Sequence, residues 1–178
     1  NKLKDNSRSK MSLKNRLKKV KFIVFDFDGV MTDNTFILDE DGKEAVRCNR
    51  GDGHGIKMLK KLGIGLLVIS TERVPIVKKR CEKLGIPYHY NIGRKLNIFL
   101  RETKERGIDL KDTCYVGNDV NDIECIKKAG LGIAVNDAFP EVKKVADYVT
   151  KRKGGEGVVR EIADIIVRKD SIDFREIP

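Results

Sequence analysis

The sequence predicts an α/β protein, a Rossmann-like three-layer sandwich with a mainly parallel sheet, on two observations. From residue 21 onward, short apolar runs rich in β-formers alternate with amphipathic segments of helical period, most of which close on glycine. The apolar runs also end in acidic or hydroxyl residues, at the end of a parallel sheet where ligands bind. With 178 residues, 40% hydrophobic and 36% charged, the chain fits one ordinary domain with a sizeable core.

The strands are read as "KFIVFDF" from residue 21, "GLLVIST" from 65, "IPYHY" from 86, "TCYVGND" from 113, "LGIAVND" from 131 and "DYVT" from 147. "IPYHY" and "DYVT" carry the weaker signals. Between and after them lie the helical segments "GHGIKMLKKLG" from 53, "PIVKKRCEKLG" from 75, "KLNIFLRETKERG" from 95, "DIECIKKAG" from 122 and "GVVREIADIIVRK" from 157. One stretch breaks the alternation: "TFILDEDGKEAVRC" is two β-like runs around Asp41-Gly42, a hairpin inserted after the first strand as a lid or subunit contact.

The formal charge of +10 sits mostly in residues 1–21, where nine Lys or Arg face the single acid Asp5, a local +8 that leaves +2 for the rest. Residues 1–20 therefore read as a basic leader or linker, in which Leu13, Leu17 and Val20 have the register of a short basic helix. Residues 21–170 are the folded domain and 171–178 a tail. The chain lacks Trp and interleaves no aromatics with its basic residues, so no nucleic-acid partner is expected. A start without Met is the expectation for a processed or excised fragment, and Met11 is an alternative start. Cys48, Cys81, Cys114 and Cys125 are scattered without a C-x-x-C pair, which points to a reduced compartment rather than a zinc site or disulfides. No run has the length of a membrane span or a signal core, so a cytoplasmic protein without a membrane partner is expected.

Chemistry gathers at the strand ends. Asp26 and Asp28 are two apart and leave the strand on one side before Gly29 turns the chain. The next core strand supplies Ser70 and Thr71, Lys95 opens a helix, and "YVGNDVND" adds Asn118, Asp119 and Asp122. Oxygen donors without clustered His or thiolate suit a hard cation such as magnesium (Mg2+), and carboxylate, magnesium, hydroxyl and lysine together make a phosphoryl-transfer site. Acids at strand ends also serve as turn formers and helix caps, and D-x-D alone does not separate the readings. Four strand-end elements in chain order weigh against the structural reading.

Those elements, "DFDGVMT", "VIST", "GRKL" and "GNDVND", resemble the signatures of the haloacid dehalogenase (HAD) superfamily. With the hairpin, "NRGDGHGIK" and "GGEGVVRE", the resemblance narrows to the branch of 3-deoxy-D-manno-octulosonate 8-phosphate and sialic acid (nonulosonate) 9-phosphate phosphatases. The phosphatase-like module of CMP-sialic acid synthetases belongs to the same branch. The resemblance covers residues 21 to about 168 and implies a HAD-like fold without a large cap domain. It implies Asp26 as nucleophile and magnesium ligand, Asp28 as general acid and base binding the metal through its carbonyl, Ser70 and Lys95 as phosphate holders, and Asp122 as their support. The family has Asp where this chain has Asn118, so the third ligand is Asn118 or Asp119.

Substrate contacts implied by the same resemblance are Asn49, Arg50, Gly51, Asp52 and Gly53, with Thr71, Glu72, Arg73, Arg80 and Arg160. Octulosonate phosphatases carry Arg two residues after the motif hydroxyl; Glu72 stands here, closer to the nine-carbon members. The resemblance further implies a homotetramer built through the hairpin, with a tail matched by Gly154, Gly155, Gly157 and Arg160 capping a neighbour's site. The expected function is hydrolysis of the terminal phosphate of an eight- or nine-carbon 2-keto-3-deoxy sugar acid. The alternative is an oligomerisation module detached from an upstream cytidylyltransferase domain; the crowded Asp26 and Asp28 disfavour it, because a structural domain has no use for their repulsion. A phosphorylatable receiver domain fits worse, since its acid pair should be adjacent.

Overall fold

The computed structural model describes residues 13–73 and 75–167. Residues 1–12 of the leader and the 171–178 tail lie outside them.

Six parallel strands form one sheet in the order β5-β4-β1-β6-β7-β8: β1 (Phe22–Phe25), β4 (Gly65–Ile69), β5 (Tyr88–His89), β6 (Thr113–Gly117), β7 (Leu131–Ala134) and β8 (Tyr148–Val149). The central strands β1, β6 and β7 are buried along their whole length, which is why they read as continuous apolar runs rather than alternating ones. Helices α2 (Arg50–Lys61), α3 (Ile76–Leu84), α4 (Lys95–Glu105), α5 (Ile123–Lys128), α6 (Pro140–Val145) and α7 (Val158–Val167) connect and cover the strands. The expected α/β class and all six expected strands are present. Helix α6 was not expected; six residues with three charges carry too short a period to register. Helix α2 begins three residues before the expected start, because the Asn49 side chain accepts from Gly51 N–H and caps it there.

The inserted segment is a small antiparallel hairpin, β2 (Ile37–Leu38) and β3 (Glu44–Ala45), turning at Gly42. It has no partner sheet among the described residues, and Phe36, Ile37 and Leu38 are 57%, 73% and 59% exposed. The anticipated basic helix forms as α1 (Leu13–Leu17). Leu17 and Val20 are buried in the core, and Arg16 donates to Gly130 O and to Asp147 at 2.6 Å. Packing therefore reaches back to residue 13, into the stretch read as leader.

Candidate active site

Register places the site. Phe25 pairs with Val68 on β4 and with Val116 on β6, so the residues just beyond, Asp26 to Asp28, Ser70 and Asn118, emerge together at the carboxyl end of the three central strands. Gly29 has φ +82°, and a Cβ on it would come within 2.0 Å of the Asn118 amide nitrogen, so only glycine lets the turn close against β6.

Asp26 is buried, and Lys95 at the first turn of α4 reaches its Oδ2 at 2.7 Å. The same ammonium donates to Asp122 Oδ1 at 2.9 Å. Asp122 is fully buried and saturated: Tyr115 OH also donates to Oδ1, and the Asn118 and Asp119 amides donate to Oδ2 at 3.0 and 3.3 Å. Burial, and then the Asp122 carboxylate, push the Asp26 carboxyl well above its ordinary range against the pull of Lys95. Desolvation works against the Lys95 ammonium, yet its two carboxylates raise its pKa. Burial keeps the Tyr115 phenol protonated and therefore a donor. Sequence reasoning missed Tyr115; its only signal is a polar-tipped ring inside an apolar strand.

Asp28 is pushed up to about 6 by burial and by the Glu72 carboxylate. Its Oδ2 and the Asn118 Oδ1 are buried acceptors without a hydrogen-bond donor. Two such oxygens beside a buried Asp26 are a donor set that fits a hard divalent cation. Asp119 turns its Oδ1 to Val120 N–H at 2.6 Å and caps the short 3-10 turn Val120–Asp122. No cluster of three His, Cys, Asp or Glu side chains able to hold a metal forms among the described residues. Asp26, Asp28 and Asn118 are the residues that could hold such a cation.

Ser70 is buried at the end of β4, its Oγ accepting from Glu72 N–H at 3.1 Å and its N–H donating to His89 O. Beside Asp28 opens a cleft lined by Phe27, Glu44, Val46, Glu72 and Ile76 among others. Glu72 lies on this cleft, as does the hairpin residue Glu44, an acid that the sequence did not single out. Thr71 is half-buried and Arg73 exposed. Asn49, Arg50, Gly51, Asp52 and Gly53 form the cap and first turn of α2, with Arg50 exposed; Arg80 on α3 donates to Asn49 O at 3.0 Å. Asp52 is 1% exposed; its Oδ1 accepts from Arg160 N–H at 3.1 Å, which turns it to α7, and its Oδ2 is buried without a hydrogen-bond partner. Arg160 itself pairs with Asp164.

A Cβ on Gly154 would come within 2.2 Å of Gly29 O, and Gly155 N–H donates to Val30 O at 3.1 Å. Gly154 and Gly155 are wedged against this chain's own turn, a fit that depends on the missing Cβ.

Residues 93–162 match the model of the haloacid dehalogenase-like hydrolases. The chain is similar to the 3-deoxy-D-manno-octulosonate 8-phosphate phosphatase of Escherichia coli (strain K12), with 34% identity over 149 residues covering 83% of this chain and 79% of that one. Among solved structures, a HAD family hydrolase from Streptomyces avermitilis superposes with TM-score 0.85 at 41% identity, covering 89% and 92% of the two chains. The 3-deoxy-D-manno-octulosonate 8-phosphate phosphatase from Moraxella catarrhalis, in complex with magnesium, phosphate and KDO, superposes with TM-score 0.84 at 32% identity, covering 88% and 90%.

Proposed function

The chain belongs to the haloacid dehalogenase-like hydrolases and is a phosphomonoesterase; from that premise we propose that it removes the terminal phosphate of an eight- or nine-carbon 2-keto-3-deoxy sugar acid through a phosphorylated Asp26. The observation that carries the reading is the buried Lys95 ammonium 2.7 Å from Asp26, set beside two acceptor oxygens without donors.

Asp26 attacks phosphorus, the bond from phosphorus to the sugar oxygen breaks, and Asp28 gives that oxygen its proton. A water then attacks the phosphoryl group, Asp28 takes its proton, and the Asp26–phosphorus bond breaks to release inorganic phosphate. A carboxyl pushed up to about 6 can play both parts near neutral pH. Lys95 and Ser70 hold the phosphate oxygens, and Asp122, fixed by Tyr115, holds Lys95. Asp26, Asp28 and Asn118 would hold magnesium, which supplies the charge that neutralises the phosphate dianion against the carboxylates.

The M. catarrhalis relative, in complex with KDO, supports the eight-carbon class. Glu72, on the cleft at the place where octulosonate phosphatases carry Arg, supports the nine-carbon class, since it accepts from hydroxyls. The exposed Phe36, Ile37 and Leu38 support a homotetramer joined through the hairpin. Phosphate release from octulosonate 8-phosphate and nonulosonate 9-phosphates, with magnesium and again with a chelator, tests the proposal. Magnesium-dependent release from one class supports it; no release from any would favour the oligomerisation module.

A further inference from the structure

Asp28 is held mainly by the turn it belongs to: its Oδ2 has no hydrogen-bond partner and its side-chain bond is to Thr32 of that same turn, so its position depends on the segment from Gly29 to Asp33 that carries it out of β1. Inside, that turn is closed by Val30, Met31 and Thr32 amides on Phe27 O, and by Thr32 Oγ1 accepting from Gly29 N–H at 3.2 Å. Outside, it rests on Gly154 and Gly155, through the Gly29 O contact and the Gly155 N–H to Val30 O bond.

The strap from Lys151 to Gly157 that delivers those glycines is itself tied to α7. Glu161 accepts from the Lys151 and Arg152 amides, both at 2.8 Å, and from Tyr148 OH. Asp137 accepts from Gly154 N–H at 2.9 Å. Helix α7, in turn, is fixed to α2 by Asp52, whose carboxylate accepts from Arg160 N–H and satisfies an amide that the helix start would otherwise leave unpaired.

We propose that Asp52 is a positioning residue for phosphate-ester hydrolysis: by capping α7 it fixes the strap on which the Gly29–Asp33 turn rests, and so sets where Asp28 stands. The route runs from α2 through α7 and the strap to the turn, with no contact between Asp52 and substrate. The kinetic half rests on the phosphatase reading above; the structural half does not. Small displacements of a group that must meet a leaving oxygen can lower a rate about a hundredfold, even from a remote change.

The test compares Asp52→Ala, Asp52→Asn, Gly154→Ala and, as a control that loosens α7 without touching its cap, Ile162→Val. Asp52→Ala is expected to speed amide exchange at Gly155 and Arg160 by about tenfold or more, and to lower kcat by about ten- to a hundredfold with KM nearly unchanged. Asp52→Asn keeps an acceptor oxygen and is expected to restore both. Gly154→Ala should lower kcat while leaving Arg160 protected, and Ile162→Val should leave kcat alone; these arms decide the matter if Asp52→Ala does not fold. Unchanged exchange at Gly155 in Asp52→Ala overturns the proposal whether or not any sugar phosphate is hydrolysed. So does a raised KM with normal kcat, or an Asp52→Asn as slow as Asp52→Ala.

Discussion

Lys95 and Asp26 meet at 2.7 Å with both side chains nearly sealed from solvent, and the same ammonium bridges to Asp122 on the far side. One cation thus serves two buried carboxylates, and its removal leaves the charge of both without a counter-ion.

Lys95→Met is therefore expected to abolish turnover and to lower stability by about 3–5 kcal/mol, because uncompensated buried charge remains. Denaturant unfolding at neutral pH and a phosphate-release assay check both halves. A fully stable variant would mean that the two acids relax by taking up protons.

Asn118→Asp adds a charge to the donor set and should tighten magnesium binding by about tenfold, since affinity follows ligand charge. Titration calorimetry reads the affinity directly. An unchanged affinity would remove Asn118 from the metal site.

Glu72→Arg should shift preference toward the eight-carbon acid by about tenfold in relative kcat/KM, because it removes an acceptor for the additional hydroxyl of the longer sugar. A rate ratio for the two substrate classes that stays fixed would place Glu72 outside the sugar subsite.

Asp52 titrates at about 6, burial being the main cause, against an ordinary value of 3.8. The folded state binds this proton more tightly than the unfolded one, so the group's contribution to stability is present below about pH 4 and is lost as pH climbs through about 6. Asp52→Asn escapes that loss. Its melting temperature relative to the parent should rise between pH 4 and pH 7, by the equivalent of up to about 3 kcal/mol. A difference constant with pH would contradict the shift.

The strand-end chemistry was legible because each member carries its own sequence signal: alternation puts Asp26 and Asp28 on one side, Lys95 opens a periodic helix, and Asn118 and Asp122 follow an apolar run. What the strand pattern could not carry is how distant segments meet. Asp52 and Arg160 are 108 residues apart, and nothing local distinguishes a carboxylate that caps another helix from one that faces a ligand. The approach of Gly154 to Gly29 likewise carries no local sequence signal; only the folded distance shows it. Tyr115 was hidden by its apolar surroundings, since its hydroxyl matters only once Asp122 is folded beneath it.

The proposed hydrolysis requires Asp26 to take the phosphoryl group. Rapid acid quenching during turnover, followed by mass mapping of the peptides, should find a phosphate mass on the peptide containing Asp26 and none in Asp26→Asn, which should also be inactive with its fold intact. Steady turnover in Asp26→Asn, or a phosphoryl group found on another residue, would contradict it.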